Sequence, residues 1–136
     1  MSSVIVDTGF LVAYGRAGDP LHAKADLFVK HFDGDLVTVA AVIIETCFFL
    51  NARAKQRLLG WAHEGSISVV DVPVVAYQDL ATTLAKYVDR EIDFADAALI
   101  WLAEETGFRE ILTVDEKDFS VFRLRGGKRF QLIDWQ

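Results

Sequence analysis

The sequence predicts an α/β fold with a mainly parallel central sheet. Short apolar runs that are typical of buried strands alternate with longer segments in which apolar residues recur at helical spacing. That alternation is typical of proteins in which helices connect parallel strands. The predicted strands are residues 4–6, 36–39, 67–70, 109–114 and 130–133. We therefore expect ligands to bind beside the carboxyl ends of these strands, near the point where the strand order reverses.

The helices predicted between the strands follow from apolar spacing and from residues that begin or end helices. Gly15 and Gly18 end a brief helix over residues 9–14, and Asp19 and Pro20 supply an N-cap and a first helical residue for the next helix. The remaining predicted helices cover residues 21–31, 41–51, 52–63, 73–87 and 94–105, and Gly107 ends the last of them. Residues 113–118 are predicted to leave a strand for a polar loop.

Length and composition indicate one domain over residues 1–136, in a chain that can bury about 70% of the surface of its unfolded form. Apolar stretches such as Val39 to Ile44 are too short to span a bilayer, and no basic region precedes the first strand as it would in a signal peptide. The single cysteine, Cys47, suits a reducing compartment. We therefore expect a cytoplasmic protein that does not enter a membrane.

The net charge of −6 argues against binding to nucleic acid through a broad positive field. The charge is uneven, because residues 123–136 carry a net +3 and the rest of the chain is strongly acidic. The basic stretch over residues 123–129 suits a solvated loop and a phosphate-contacting loop equally well. The net charge therefore neither establishes nor excludes an RNA substrate.

Four carboxylates stand in apolar surroundings. Asp7 ends one apolar run, Asp115 follows another, and Asp96 opens a third, while Glu45 is the only charged residue between Val39 and Leu50. None of these runs contains a lysine or arginine that could act as a local partner. Unpaired acids in such surroundings cost several kcal/mol or shift their pKa values. We infer that the four acids converge on a shared cation.

Each acid also has a simpler structural interpretation. Asp7 could cap the helix that follows it, and Asp115 could be a turn residue. Asp96 could complement a helix dipole, with Asp93 as the capping residue three positions earlier. Glu45 lies in the middle of a predicted helix and would need a partner supplied from elsewhere in the chain. Four separate coincidences are less economical than one site.

A cluster of carboxylate oxygens suits Mg²⁺ or Mn²⁺ rather than zinc. The three histidines, His22, His31 and His63, show no ligand spacing with one another or with Cys47. The expected chemistry is attack of metal-activated water on a phosphodiester. No feature of the sequence indicates a covalent nucleophile activated by a histidine base.

The ordered set of motifs resembles the PIN domain, and within it the VapC-type ribonuclease toxins of bacterial toxin–antitoxin systems. The segments that carry the resemblance are residues 4–8, 41–45, 93–97, 111–115, 118–119 and the ending from 119 to 133. The resemblance implies a three-layer α/β/α sandwich with a mainly parallel central sheet and an Mg²⁺- or Mn²⁺-dependent endoribonuclease. It covers the whole chain.

The resemblance also implies roles for individual residues. The acids expected to bind metal and carry catalysis are Asp7, Glu45, Asp96 and Asp115. Asp7 and Asp96 would hold the principal ion, and Glu45 and Asp115 would complete the site. Thr8 and Thr113 match supporting hydroxyl positions, and Asp118 matches an acid that is less consistently part of the site.

The partners that the resemblance implies are an RNA substrate, a second copy of the chain in a homodimer, and a cognate antitoxin whose C-terminal segment occupies the active-site groove. Two alternatives remain open, a catalytically inactive PIN-like binding module and a nuclease that acts on DNA. A phosphohydrolase with Asp7 as nucleophile is disfavoured, because Gly9 stands where such enzymes need a second aspartate. Arg16, Arg53 and Arg123 are candidates for phosphate contact.

Overall fold

A computed structural model describes residues 2–136 and contains a five-stranded, fully parallel sheet in the order β3-β2-β1-β4-β5. The strands are β1 (Ser3–Val6), β2 (Asp35–Val39), β3 (Ser68–Val70), β4 (Glu110–Leu112) and β5 (Gln131–Leu132). In the central strand, Ile5 is opposite both Val37 and Ile111. The predicted parallel α/β sheet is confirmed.

Seven α-helices pack around this sheet in the described part of the chain. They are α1 (Thr8–Gly15), α2 (His22–His31), α3 (Ala40–Cys47), α4 (Ala52–His63), α5 (Tyr77–Lys86), α6 (Phe94–Thr106) and α7 (Glu116–Val121). Consecutive residues of a strand point to opposite faces of the sheet, and Val4, Ile5 and Val6 are all buried. Both faces of β1 are therefore covered by helices, as in a three-layer α/β/α sandwich.

The hydrophobic core includes the central strands and the tightly packed helix α6, in which seven residues are buried. Phe119 is fully buried and makes edge-to-face contacts with Phe122 and Phe130, at centroid distances of 5.0 and 5.3 Å. These contacts fix α7 and the residues after it against the core. Within residues 2–136 no helix is both long enough and apolar enough to cross a bilayer.

Several predicted element boundaries were wrong. The predicted loop over residues 113–118 contains the start of α7, which the sequence analysis missed. The helix predicted over residues 41–51 ends at Cys47, and Phe48 is 78% exposed rather than buried. The predicted N-cap Asp19 instead accepts a hydrogen bond from the backbone N–H of Leu21, at 2.9 Å, and α2 begins at His22.

The strand order reverses between β1 and β4. The chain passes from β1 to β2 and then β3 on one side, and it returns to place β4 and β5 on the other side of β1. Such a reversal leaves a crevice at the carboxyl ends of the two neighbouring strands. Asp7 follows β1 and Asp115 follows β4 closely, so both acids lie at this edge.

Candidate active site

Asp7 is fixed in place by two hydrogen bonds. It caps α1, and its Oδ1 accepts the backbone N–H of Thr8 at 2.7 Å. Its Oδ2 accepts the hydroxyl of Thr113 at 2.8 Å. The residue is only 8% exposed. The capping interpretation of Asp7 is therefore confirmed, but capping uses only part of its hydrogen-bonding capacity.

Glu45 projects from α3 and is tethered to the same place by Thr8. The Thr8 hydroxyl donates to Oε1 of Glu45 at 2.8 Å, across 37 residues of sequence. Glu45 is partly exposed rather than fully buried. Glu45 lies in the last turn of α3 rather than in the middle of a helix, because α3 ends at Cys47, and its polar partner comes from elsewhere in the chain. Because Thr8 contacts Asp7 through its backbone and Glu45 through its side chain, it holds the two acids side by side.

Asp96 and Asp93 form a reciprocal capping box at the start of α6. Asp93 Oδ1 accepts the backbone N–H of Asp96 at 3.0 Å, and Asp96 Oδ2 accepts the backbone N–H of Asp93 at 3.2 Å. The predicted capping role of Asp93 is confirmed. The box fixes both carboxyl groups at the amino end of a buried helix, where its dipole favours negative charge.

Asp115 and Asp118 belong to a second hydrogen-bonded unit. The Asp115 backbone N–H donates to the Thr113 hydroxyl oxygen at 2.9 Å, and Asp115 Oδ1 accepts the backbone N–H of Asp118 at 3.1 Å. The Asp118 carboxylate in turn pairs with Nε of Arg90 at 2.8 Å. Thr113 therefore connects this unit to Asp7, since its hydroxyl donates to one acid and accepts from the backbone of the other.

Burial dominates the electrostatics of Asp7. It raises the pKa of Asp7 from 3.8 to about 6, against the hydrogen bonds from Thr113 and Thr8, which favour the ionised form. The negative charges of Asp115 and Asp93 raise the pKa further. Asp7 is therefore close enough to both acids for their charges to disfavour its ionisation.

The other acids show the same crowding. Burial raises the pKa of Glu45 from 4.5 to about 6; the Thr8 hydroxyl opposes this, and the nearby carboxyls of Asp93 and Asp7 add to it. Burial and the charge of Asp93 raise the pKa of Asp96 from 3.8 to about 8. Burial also raises the pKa of Asp115. The structure thus brings the four predicted acids together electrostatically and adds Asp93 as a fifth.

The donor set has the chemistry of a hard divalent cation. All of the groups are carboxylate oxygens, and burial together with their mutual proximity raises their pKa values, which a bound cation would oppose. As placed, however, no three His, Cys, Asp or Glu side chains within residues 2–136 are positioned to enclose one metal ion. The residues therefore fit a magnesium-type site in donor type and charge, while their side chains are not arranged as a closed coordination shell.

Asp93 and Arg90 are the two neighbours that sequence reasoning left outside the site. Asp93 could have been found from its spacing, because two aspartates three residues apart at a helix start commonly face the same way. Arg90 carries no such signal, because its contact with Asp118 spans 28 residues. Thr8, Thr113 and Asp118 all lie in the hydrogen-bond network of the acids.

Comparison with known proteins agrees with this arrangement. The PIN domain family model matches residues 4–123, a range that includes all five acids.

The chain belongs to the PIN domain family.

Two mycobacterial PIN-domain relatives cover most of the chain. It is 31% identical over 134 residues to ribonuclease VapC26 of Mycobacterium tuberculosis (strain ATCC 25618 / H37Rv), covering 96% of this chain and 99% of the relative. Its fold is similar to the crystal structure of M. tuberculosis VapC20, described as a sarcin–ricin loop cleaving toxin. That match has a TM-score of 0.73 at 25% identity and covers 79% of this chain and 86% of the other. The predicted PIN-like α/β/α fold is confirmed.

Proposed function

We propose that this PIN domain is a metal-dependent endoribonuclease, the toxin of a VapBC-type toxin–antitoxin pair, and that residues 1–136 act as one cytoplasmic unit. The observation that carries the proposal is the set of acids at the reversal point of the sheet, where Thr8 and Thr113 hold Asp7 beside Glu45 and Asp115, and a capping box holds Asp96. The same reaction class is supported by a relative named as a ribonuclease and by a structural neighbour described as a sarcin–ricin loop cleaving toxin.

Asp7, Glu45, Asp96 and Asp115 would hold Mg²⁺ or Mn²⁺ in this proposal. When bound, the ion would supply an activated water and neutralise charge at the phosphodiester. The threonines would keep Asp7 and Glu45 in one orientation, so that little side-chain freedom is lost when substrate binds. Asp93 would position a ligand rather than bind the ion, because its carboxyl accepts the backbone N–H of Asp96 and so fixes the start of α6.

A cavity beside the acids gives the substrate room to approach. It has a volume of about 320 Å³, and Glu45 lines it together with Tyr77 and Phe94. The two aromatic rings are partly exposed and pack edge to face, 5.6 Å apart. Unpaired RNA bases stack readily on exposed aromatic rings, whereas bases within a duplex cannot. An RNA loop or single strand therefore suits this surface better than a duplex.

We also propose a homodimer and a cognate antitoxin as partners. Several large apolar side chains are exposed, among them Val75 at 87% and Phe48 at 78%, and clusters of such residues are typical of protein interfaces. Sedimentation analysis should give a dimer mass, and a monomer at micromolar concentration would contradict the dimer.

An antitoxin arginine that reached the acids would exclude the metal, so an antitoxin peptide that binds without inhibiting cleavage would contradict that mode of inhibition.

Cleavage of total bacterial RNA tests the function. Purified protein is incubated with Mg²⁺ or Mn²⁺ beside an EDTA control, Asp96→Asn and Asp79→Asn. Asp79 is a matched control because it is an exposed aspartate in the first turn of another helix, α5. We expect discrete cuts by the wild type and by Asp79→Asn, and none with EDTA or with Asp96→Asn. Equal behaviour of wild type and Asp96→Asn would contradict catalysis, and cleavage of single-stranded DNA alone would contradict the RNA substrate.

A further inference from the structure

We propose that Arg90 is a substrate-binding residue whose guanidinium contacts an RNA phosphate beside Asp115, held in position by Asp118. This inference rests on the proposed ribonuclease function. It concerns how an acidic site holds a polyanionic substrate.

The first observation is a chain of contacts that ends at the acids. Arg90 Nε donates to Asp118 Oδ1 at 2.8 Å, and the Asp118 backbone N–H donates to Asp115 Oδ1 at 3.1 Å. The Arg90 side chain is 27% exposed, so it is not enclosed by the protein. Within residues 2–136, neither Nη1 nor Nη2 of Arg90 donates to a protein acceptor. The donors that bind phosphate best therefore remain available at the edge of the site.

The second observation is a strained backbone next to Arg90. Arg90 ends a 3₁₀ turn, Val88–Arg90, and Glu91 then adopts a left-handed conformation with φ 52° and ψ 42°. Glu91 is the only non-glycine residue with positive φ among residues 2–136. Such a conformation is unfavourable for a residue with a side chain and persists only where the surroundings impose it. Residues of this kind cluster at functional sites.

Contacts on the amino-terminal side of the turn hold this segment in place. The Tyr87 hydroxyl accepts the backbone N–H of Arg123 at 2.8 Å, and the Tyr87 ring packs edge to face on Phe122 at 4.9 Å. The segment over residues 87–91 is therefore fixed to the region just after α7, while Arg90 contacts α7 itself through Asp118. Arg90 is placed as firmly as the acids are.

The third observation is the charge balance of the site. Five carboxylates lie at the site, and a positively charged side chain near them would reduce their repulsion of an RNA phosphate. Arg90 is such a side chain, because its guanidinium contacts Asp118, whose backbone N–H donates to Asp115. Arg123, a candidate from the sequence, instead directs its Nη1 to the carbonyls of Ser120, Val121 and Phe122 at 2.7–3.1 Å, and within residues 2–136 its side chain makes no hydrogen bond to the acids.

Binding and kinetics of Arg90 variants test the inference. Anisotropy of a short fluorescein-labelled single-stranded RNA is measured against KCl concentration, in an Asp96→Asn background that does not cut the probe. We expect Arg90→Gln to weaken binding about 10- to 100-fold and to reduce the magnitude of the log–log salt slope by about 0.7–1. Arg90→Lys should keep the slope and recover part of the affinity, because the charge remains but the fork geometry is lost.

Arg109→Gln is the matched control. Arg109 immediately precedes β4 at the amino edge of the sheet, opposite the acids. The RNA affinity and salt slope of the Arg109→Gln variant should therefore equal those of the background protein. In the otherwise wild-type enzyme, Arg90→Gln should raise KM more than it lowers kcat, with a melting temperature close to that of the wild type.

Two results would overturn the inference. An unchanged salt slope and KM for Arg90→Gln, in a wild type that cuts RNA, would leave the ribonuclease intact and reject the phosphate contact. A fall in melting temperature and kcat alone would make Arg90 a structural partner of Asp118. If the wild type itself neither binds nor cuts RNA, the proposed function fails, and this inference fails with it.

Discussion

Replacing Asp7 with asparagine should stabilise the metal-free protein at neutral pH. Asp7 is buried, and burial raises its pKa from 3.8 to about 6. Because the folded pKa lies above the unfolded one, the folded state retains a proton between about pH 4 and pH 6 that the unfolded state has lost. Stability should therefore fall as pH rises through that window. Above about pH 7 Asp7 is ionised in both the folded and the unfolded state. The free energy of unfolding is then lower by the whole amount that corresponds to the pKa shift.

The size of the effect follows from the same shift. The difference between a pKa of 3.8 and one of about 6 corresponds to about 3 kcal/mol in the free energy of unfolding. Asparagine removes the charge and can still accept from the Thr8 N–H through Oδ1, but its Nδ2 is a donor and cannot accept the bond that the Thr113 hydroxyl makes to the carboxylate. We expect a net gain of about 1–3 kcal/mol at pH 8, or about 3–10 °C in melting temperature.

Thermal unfolding in EDTA at pH 4 and pH 8 measures this gain. Asp19→Asn is the control, since Asp19 also accepts a nearby backbone N–H, that of Leu21, but lies outside the cluster. The Asp7→Asn gain should appear at pH 8 and largely vanish at pH 4, while Asp19→Asn stays near the wild type at both. Millimolar Mg²⁺ should then stabilise the wild type more than Asp7→Asn, because binding to the folded state stabilises it. A loss of stability at pH 8, or an equal gain at both pH values, would refute the reasoning.

Three further predictions concern the two threonines that hold the acids and the packing of two helix glycines. Thr113→Val should lower the free energy of unfolding by about 1–3 kcal/mol in urea titrations, because Asp7 and the Asp115 N–H lose their shared partner, whereas Thr113→Ser should stay near the wild type. Thr8→Val should weaken Mn²⁺ binding in calorimetry, since Glu45 loses its tether, and unchanged binding would contradict that role. Gly9→Ala should lower the free energy of unfolding by about 1–3 kcal/mol, because the added Cβ would lie 2.2 Å from a methyl carbon of Val114. Gly60→Ala, which adds a Cβ into open space in α4, should instead raise the free energy of unfolding by about 0.5–1 kcal/mol.

The sheet and four of the five acids could be predicted from the sequence because their signals are local. Val4, Ile5 and Val6 form an uninterrupted apolar run, and only a strand covered on both faces buries such a run fully. Asp7 breaks that run abruptly, which marks the end of the strand. The position of each acid relative to its strand or helix therefore fixes its place at the sheet edge.

The features that could not be predicted depend on contacts between distant segments. Helix α7 looks like a polar loop because its single fully buried side chain, Phe119, gives no periodic pattern. Phe48 looks like a core residue because it is apolar, yet it is exposed in this chain. Arg90 reaches Asp118 across 28 residues of sequence, and Glu91 beside it adopts a left-handed conformation that no propensity favours for glutamate.

The raised pKa values and the fixed hydrogen bonds both reflect that the acids are held close to one another. Thr8 and Thr113 hold acids together that would separate if they were free, so the metal-free site opposes folding when the acids are ionised. Any cation that enters relieves the same repulsion. A divalent ion and the guanidinium of a partner protein would therefore compete for the same carboxylates, and the bond between Arg90 and Asp118 shows that an arginine can already pair beside them. An antitoxin would then need only one well-placed arginine to replace the ion and stabilise the fold. Inhibition of the toxin and its stabilisation against unfolding would therefore have the same cause, the neutralisation of the carboxylates.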